Sequence, residues 1–215
     1  MAIAQDRLDE LWDFPDAQAS ESRLRRAADE ETDAEARAEL QTQVARALGL
    51  QGRFADADAL LDTVSSEDPA ASAVPVVRAR VALERGRLRN SGGDAAGAVA
   101  LFHEAAAASA SARLLFLRID ALHMLAIADP AGGARYTDEA LALLDGISDR
   151  RTLRWRVSLH NNRGWALRDA GDAAGAVAEF ERAKDAATRW GTRQQVEWAE
   201  EALAEARAAL DAPGH

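Results

Sequence analysis

The sequence predicts an all-α repeat protein built from antiparallel helix pairs. The octapeptide Gly-Asp-Ala-Ala-Gly-Ala-Val-Ala occurs twice without change, at Gly93–Ala100 and at Gly171–Ala178, and a weaker copy lies at Gly52–Ala59. Recurrence at a regular spacing is typical of proteins that stack one structural unit repeatedly. Alanine, the strongest helix former, makes up about a quarter of the 215 residues, and strand-forming residues are sparse. Together these observations favour helices stacked in a single domain that spans the chain.

Each copy of the octapeptide lies within a longer pattern of small and bulky residues. A small residue precedes the loop glycine, and an alanine and then a bulky apolar residue follow it. In chain order, the three copies hold these positions as Ala45, Gly52, Ala57 and Leu61; Gly86, Gly93, Ala98 and Phe102; and Gly164, Gly171, Ala176 and Phe180. Small residues let two helices approach closely, the bulky residue fills the hollow against the next unit, and glycine permits a tight reversal of the chain. The aspartates after two of the glycines, Asp94 and Asp172, are predicted to cap the second helix of each pair.

This pattern, with Pro69 closing the first of these units, resembles the tetratricopeptide repeat. The spacing is about 40 residues per unit rather than ~34, which resembles the long-helix branch of the family, found in kinesin light chains and in peptide-sensing bacterial regulators. The resemblance covers nearly the whole chain. It implies a right-handed superhelical solenoid of about five units with a C-terminal capping helix. The units are 3–31, 34–69, 70–110, 111–148 and 150–190, and the cap is 192–211.

The less regular parts of the sequence fit the same scheme. Two short helices are predicted at Ile3–Trp12 and Ala17–Glu30, around a break at Asp13-Phe14-Pro15. The unit 111–148 is predicted to have a helix at about Ala112–Ala128, a break at Asp129–Gly133, and a second helix through Tyr136, Ala140 and Leu144. The helix Thr192–Leu210 is polar on one face, as the end of a stack requires.

Composition excludes several classes of function. The net charge of −10 argues against a nucleic-acid partner, which needs a basic surface. The chain has no cysteine, no apolar run of the ~20 residues that span a membrane, and no signal-peptide pattern at its start. We therefore expect a cytoplasmic protein without a membrane partner. Basic charge comes almost wholly from arginine, and with the alanine content this indicates a bacterial genome of high GC content.

The motifs of common enzymes are missing from the sequence. It contains no His-Glu-x-x-His, Gly-x-Ser-x-Gly or Walker-type loop, and the glycine-rich segment Ser91–Gly97 lacks a lysine and lies between two helices. The internal histidines show no metal-ligand spacing. We expect no catalytic activity, no cofactor and no metal.

The resemblance places the binding surface on the first helix of each pair, which lines the concave face in this family. Helical spacing from the small packing residue then predicts the residues of that groove. They are Arg46, Arg80, Arg87, Asn90, Asp120, His123, Asn161, Trp165 and Arg168. In the unit 111–148, either a register with Asp120, His123 and Ile127 or one that includes Met124 is compatible with the sequence. Asn161 and Asn162 could instead bond the backbone or a neighbouring unit, and Trp165 could fill a seam between units.

Amides and arginines around an indole suit an extended peptide or the tail of a partner protein. The sequence therefore predicts a scaffold or adaptor that binds protein segments, with a ligand- or signal-peptide-sensing regulator as the alternative. The arginine clusters at 78–89 and 150–156 are expected to be solvated faces, with a patch that recognises carboxylate or phosphate as the other interpretation. Trp198 lies beside the apolar stripe of the last helix, which leaves a homodimer open.

Overall fold

The computed structural model describes residue 3 and residues 5–211, and all regular secondary structure in them is helical. The helices are α1 (Gln5–Leu11), α2 (Ala17–Glu30), α3 (Ala34–Leu50), α4 (Phe54–Ser66), α5 (Pro69–Ser72), α6 (Pro75–Ser91), α7 (Ala95–Ser111), α8 (Leu115–Ala128), α9 (Gly133–Leu143), α10 (Arg150–Leu153), α11 (Trp155–Asp169), α12 (Ala173–Trp190) and α13 (Arg193–Asp211). The all-α prediction is confirmed. The breaks after α1 and α8 and the single last helix also lie where the sequence placed them.

The chain forms two compact units, Met1–Met124 and Leu125–His215, whose boundary falls within α8. In the first unit, α2 packs on α3, α3 on α4, and α6 on α7. The helix α3 also contacts α6, so the first helices of two successive pairs are neighbours. In the second unit, α11 packs on α12 and α12 on α13, and α11 also contacts α13. Consecutive helices therefore pack in pairs, whereas the superhelical solenoid stays a prediction.

Three residues of the repeated octapeptide have defined structural roles in the loop and in the first turn of the helix that follows it. Gly93 adopts a φ of +87°, a left-handed conformation that side chains disfavour. Asp94 then caps α7 by accepting a hydrogen bond of 2.9 Å from the amide of Gly97. A Cβ atom on Gly97 would lie 2.3 Å from Oδ2 of Asp94, so in its present rotamer this carboxylate occupies space that the glycine leaves open. The second copy repeats this arrangement, with Gly171 at +84° and Asp172 bonded to Gly175 at 2.8 Å, and the capping prediction is confirmed.

Small residues in the first helix of a pair make room for an aromatic ring from the second. A Cβ atom on Gly86 would lie 2.4 Å from the ring of Phe102, and one on Gly164 would lie 2.7 Å from the ring of Phe180. Both rings are completely buried. The glycine leaves a gap inside the helix pair, and the ring of the same pair fills it. The sequence predicted that the bulky residue would instead fill the hollow against the next unit.

The contact with the following helix is also present. Phe180 shares a buried cluster with Ala202, Leu203 and Ala206 of α13, so one ring serves both contacts. In the Met1–Met124 unit a core cluster includes Leu24, Leu40 and Leu48 on α2 and α3. Among the described residues, no helix has the length and apolar character that crossing a membrane would require.

Candidate functional site

A buried ion pair joins the first helices of two successive pairs. Glu39 on α3 and Arg80 on α6 occupy equivalent positions in their repeats, and Nε of Arg80 donates to Oε2 of Glu39 at 2.9 Å. Their side chains are 1% and 7% exposed. Arg80 also donates to Gln5, and Oε1 of Glu39 accepts from the backbone amide of Ile3. Sequence spacing assigned Arg80 to the binding surface, but the structure engages its guanidinium in the interior, where it holds α3 to α6.

Arg87 forms a second link, between α6 and α8. Its guanidinium donates to Oε1 of Glu84 at 2.7 Å and to Oδ1 of Asp120 at 2.5 Å. Burial by itself lowers the pKa of Arg87, but the carboxylates of Asp120 and Glu84 outweigh it and raise that pKa above its ordinary value. Burial likewise opposes ionisation of Asp120, yet Arg87 and Arg46 hold the pKa of Asp120 below its usual range. Arg87 and Asp120 are therefore charged and held together by a hydrogen bond, and Asp120 positions Arg87 rather than facing solvent.

Arg46 differs from these two arginines because an aromatic pair, rather than a carboxylate, supports it. Trp12 and Phe14 stack with their ring centroids 4.8 Å apart. The guanidinium carbon of Arg46 lies 5.7 Å and 5.5 Å from the two ring centroids, within the range of a cation–π contact. Burial and the nearby charge of Arg87 lower the pKa of Arg46. In the part of the chain that the structure describes, no carboxylate accepts a hydrogen bond from Arg46.

His123 on α8 lies in the field of the same charges. Burial lowers the pKa of His123 to about 4, with Arg87 and Arg46 acting in the same direction and Asp120 acting against them. The imidazole is consequently neutral near pH 7. Arg46, Arg87, Asp120 and His123 therefore lie near one another in the unit Met1–Met124, and their role in a binding groove stays a prediction.

Arg46, Glu84 and Arg87 border a cavity of about 200 Å³. The cavity is lined by Arg46, Gly49, Leu50, Phe54, Glu84, Arg87, Leu88, Asn90, Ser91 and Met124. Asn90 therefore belongs to the same site as Arg46 and Arg87. The unit 111–148 contributes to this region in two ways, since Met124 lines the cavity while Asp120 bonds Arg87. One residue from each of the two alternative registers, Asp120 and Met124, therefore lies in this region.

Sequence reasoning missed the apolar rim of this cavity, although the repeat contains a signal for it. Leu50 and Phe54 are 55% and 36% exposed. In the two later copies the position of Leu50 holds Ser91 and Asp169, and the position of Phe54 holds alanine. Large apolar residues that replace small or polar ones at exposed positions are not explained by packing of the repeat. Glu84, three residues before Arg87, was also missed, because its role depends on burial.

The remaining candidates lie in the unit Leu125–His215. Trp165 is half-buried and meets Phe180 edge-on, with the ring centroids 4.9 Å apart. The guanidinium of Arg168 lies 4.0 Å from the Trp165 centroid and donates to Glu205 of α13 at 2.7 Å. Trp165 packs against the apolar cluster of α12 and α13, in keeping with the interpretation that it fills a seam. Asn161 is half-buried on α11, and its part in binding stays a prediction.

No protein-family model matches the sequence, and no curated protein is significantly similar to it. Within the described residues, no group of three or more potential ligands is arranged to hold a metal ion.

Proposed function

We propose that this chain is a non-catalytic scaffold or adaptor that binds a peptide segment of a partner protein on the face formed by α3, α6 and α8. In this proposal, the face is the concave groove of a tetratricopeptide-like repeat protein, the family that the sequence resembles. The observation that carries it is the pair of exposed apolar side chains, Leu50 and Phe54, beside Arg46 at the mouth of the cavity.

An apolar contact next to a desolvated arginine is the usual composition of an energetically important spot in a protein interface. Arg46 is held in place by Trp12 and Phe14, so little side-chain entropy remains to be lost when it binds a partner. Phe14 is itself 58% exposed and extends the apolar surface beyond the cavity. The surface therefore combines a shaped pocket with an apolar surround, as peptide recognition requires.

The size of the cavity favours a peptide side chain over a whole small molecule. Pockets that enclose drug-sized ligands occupy roughly 300–1,000 Å³, whereas this one measures about 200 Å³ and is open to an exposed rim. This difference ranks peptide binding above the sensing of a small molecule, and a regulator that senses a signal peptide stays the alternative function.

Selection from a phage-displayed random peptide library tests the proposal. We expect the wild-type chain to enrich a family of peptides and the Leu50→Glu variant to lose that enrichment, because a charge replaces an apolar contact at the rim. Ala107→Glu is the matched control, since Ala107 is exposed on the second helix α7 and receives the same new side chain. Circular dichroism melts of both variants should match the wild type.

Two results would contradict this assignment of the surface. One is equal enrichment on wild type and Leu50→Glu. The other is a loss of enrichment on Ala107→Glu alone, which would move the binding surface to α7.

A further inference from the structure

Three polar side chains in the wall of the cavity can each donate a hydrogen bond to a ligand. They belong to Arg46, Asn90 and Ser91, and within the described residues none of the three side chains makes a hydrogen bond. No guanidinium nitrogen of Arg46 is fully buried, so each one keeps an accessible surface. Arginine has five N–H donors and no acceptor. A molecule in the cavity therefore meets a cation together with two smaller polar groups that can donate.

The other charges of this region are less available to a ligand than Arg46. Arg87 already donates to Glu84 and to Asp120. Glu84 uses Oε1 in that contact, and its Oε2 is fully buried. Asp120 does not line the cavity. Burial and the charge of Arg87 lower the pKa of Arg46, although Glu84 and Asp120 act in the opposite direction. The nearby carboxylates therefore leave the charge of Arg46 only partly compensated.

We propose that the cavity binds the side-chain carboxylate of a glutamate or aspartate in the partner peptide. The guanidinium of Arg46 donates to the carboxylate, and Asn90 and Ser91 supply further donors at the cavity wall. This inference rests on the proposed function and specifies what the peptide must contain.

The charge and lining of the cavity favour a side-chain carboxylate over other anions. A phosphoryl group carries about −1.5 to −2 charges, and the excess over the single charge of Arg46 would be repelled by Glu84 in a site of low dielectric. The side chains of Leu88 and Met124 suit the methylene groups of an acidic residue. A chain terminus would instead place its last peptide bond against them, where they offer it no hydrogen bond.

Three small probes with blocked amino groups test the proposal. N-acetyl-L-glutamate α-methylamide carries a side-chain carboxylate, N-acetyl-L-glutamine methylamide is its neutral isostere, and N-acetyl-L-norvaline carries only a terminal carboxylate. The chain has two methionines, Met1 and Met124, so ¹³C-methyl labelling of methionine yields a signal inside the cavity, which Met124→Leu assigns. We expect the glutamate probe to shift this signal in a saturable way at low ionic strength. We expect the glutamine probe to bind about tenfold more weakly, because a charge-assisted hydrogen bond is stronger than a neutral one.

Two pairs of variants locate the carboxylate. Arg46→Gln should abolish the saturable shift, and Arg26→Gln, which removes the same charge from an exposed position of α2, should not. Because Arg46 also packs on aromatic rings, Ser91→Asp provides a test at an exposed position. Its new carboxylate should weaken binding of the glutamate probe at least tenfold. Ser111→Asp is the matched control, since Ser91 and Ser111 are both exposed and each is the last residue of its helix.

Several results would overturn the proposal. They are equal binding of the glutamate and glutamine probes, no saturable shift with the glutamate probe, and equal weakening by Ser91→Asp and Ser111→Asp. Tighter binding of N-acetyl-L-norvaline would overturn the side-chain source and assign the cavity to a chain terminus. If selected peptides depend on Leu50 yet retain affinity when their acidic residues are replaced by amides, the carboxylate site is wrong and the peptide-binding function stands.

Discussion

Replacing Gly86 with alanine tests how the helix pairs are held together. A Cβ atom at this position would lie 2.4 Å and 2.6 Å from two ring carbons of Phe102, far inside normal contact distance. Phe102 is completely buried, so the ring cannot swing into solvent to relieve the clash. Either α6 and α7 must separate locally or the ring must leave its preferred rotamer.

Two opposing effects determine how much Gly86→Ala changes the free energy of unfolding. Alanine stabilises a helix interior by about 1 kcal/mol relative to glycine. Overpacking a tight contact costs about 1–3 kcal/mol or more, and a clash with a buried ring belongs at the upper end. We therefore expect Gly86→Ala to lower the free energy of unfolding by about 1–2 kcal/mol, which corresponds to a fall in Tm of roughly 2–4 °C per kcal/mol.

The first copy of the repeat indicates a second substitution that should relieve the clash between the alanine at position 86 and Phe102. The equivalent positions in the first copy hold Ala45 and Leu61, both completely buried in one cluster. In a Phe102→Leu background the clash disappears and the gain in helix propensity remains. Gly86→Ala should then be neutral or stabilising by up to about 1 kcal/mol.

Urea unfolding followed by far-UV circular dichroism measures all four chains of this double-mutant cycle. The reasoning is refuted if Gly86→Ala stabilises the chain while Phe102 is present, or if the cost is the same in the Phe102→Leu background. Gly164 and Phe180 provide an independent repetition in the unit Leu125–His215.

Three further predictions address the caps, the buried ion pair and the neutral histidine. Asp172→Ala should lower the free energy of unfolding by about 1 kcal/mol through loss of the helix cap, and an unchanged urea midpoint would show that the cap is not needed. Glu39→Ala should cost about 3–5 kcal/mol because it strands the guanidinium of Arg80 in the interior, while the double variant with Arg80→Met should recover part of that loss in the same assay. Because burial lowers the pKa of His123 from 6.5 to about 4, the unfolded chain binds this proton more readily than the folded chain. The free energy of unfolding should therefore fall by about 3 kcal/mol as pH drops from 6.5 toward 4. His123→Gln should remove that part of the slope in urea titrations at successive pH values, and an unchanged slope would contradict the assignment.

Much of the local structure could be read directly from the repeated octapeptide. A loop glycine, a capping aspartate and a small residue opposite a bulky one each have a local physical reason. The same residues at the same spacing therefore predict the same geometry. Gly93, Asp94 and Gly97 have the conformations and bonds that their types favour. Equal offsets from Ala45 and Gly86 likewise brought Arg46 and Arg87 to one cavity, because equivalent positions of neighbouring helices face the same side.

The offsets could not predict which polar side chains would be buried. Arg80 was predicted by the same rule as Arg87, yet it pairs with Glu39 in the interior at 7% exposure. Helical spacing determines the face of a helix on which a residue lies, but burial depends on which residue of the next helix comes opposite. A long side chain can then turn inward toward that partner.

The sequence by itself thus determined the helices, their loops and caps, and the small-to-large contacts within each pair, because these depend on residues close together in the chain. Only the tertiary structure decided that Glu84 is buried with one oxygen that no described residue hydrogen-bonds, that Trp12 and Phe14 support Arg46, and that Leu50 and Phe54 stay exposed beside a cavity. These features depend on contacts between helices far apart in sequence, and burial, rather than residue type, gives each charge its energetic cost and hence its capacity to bind.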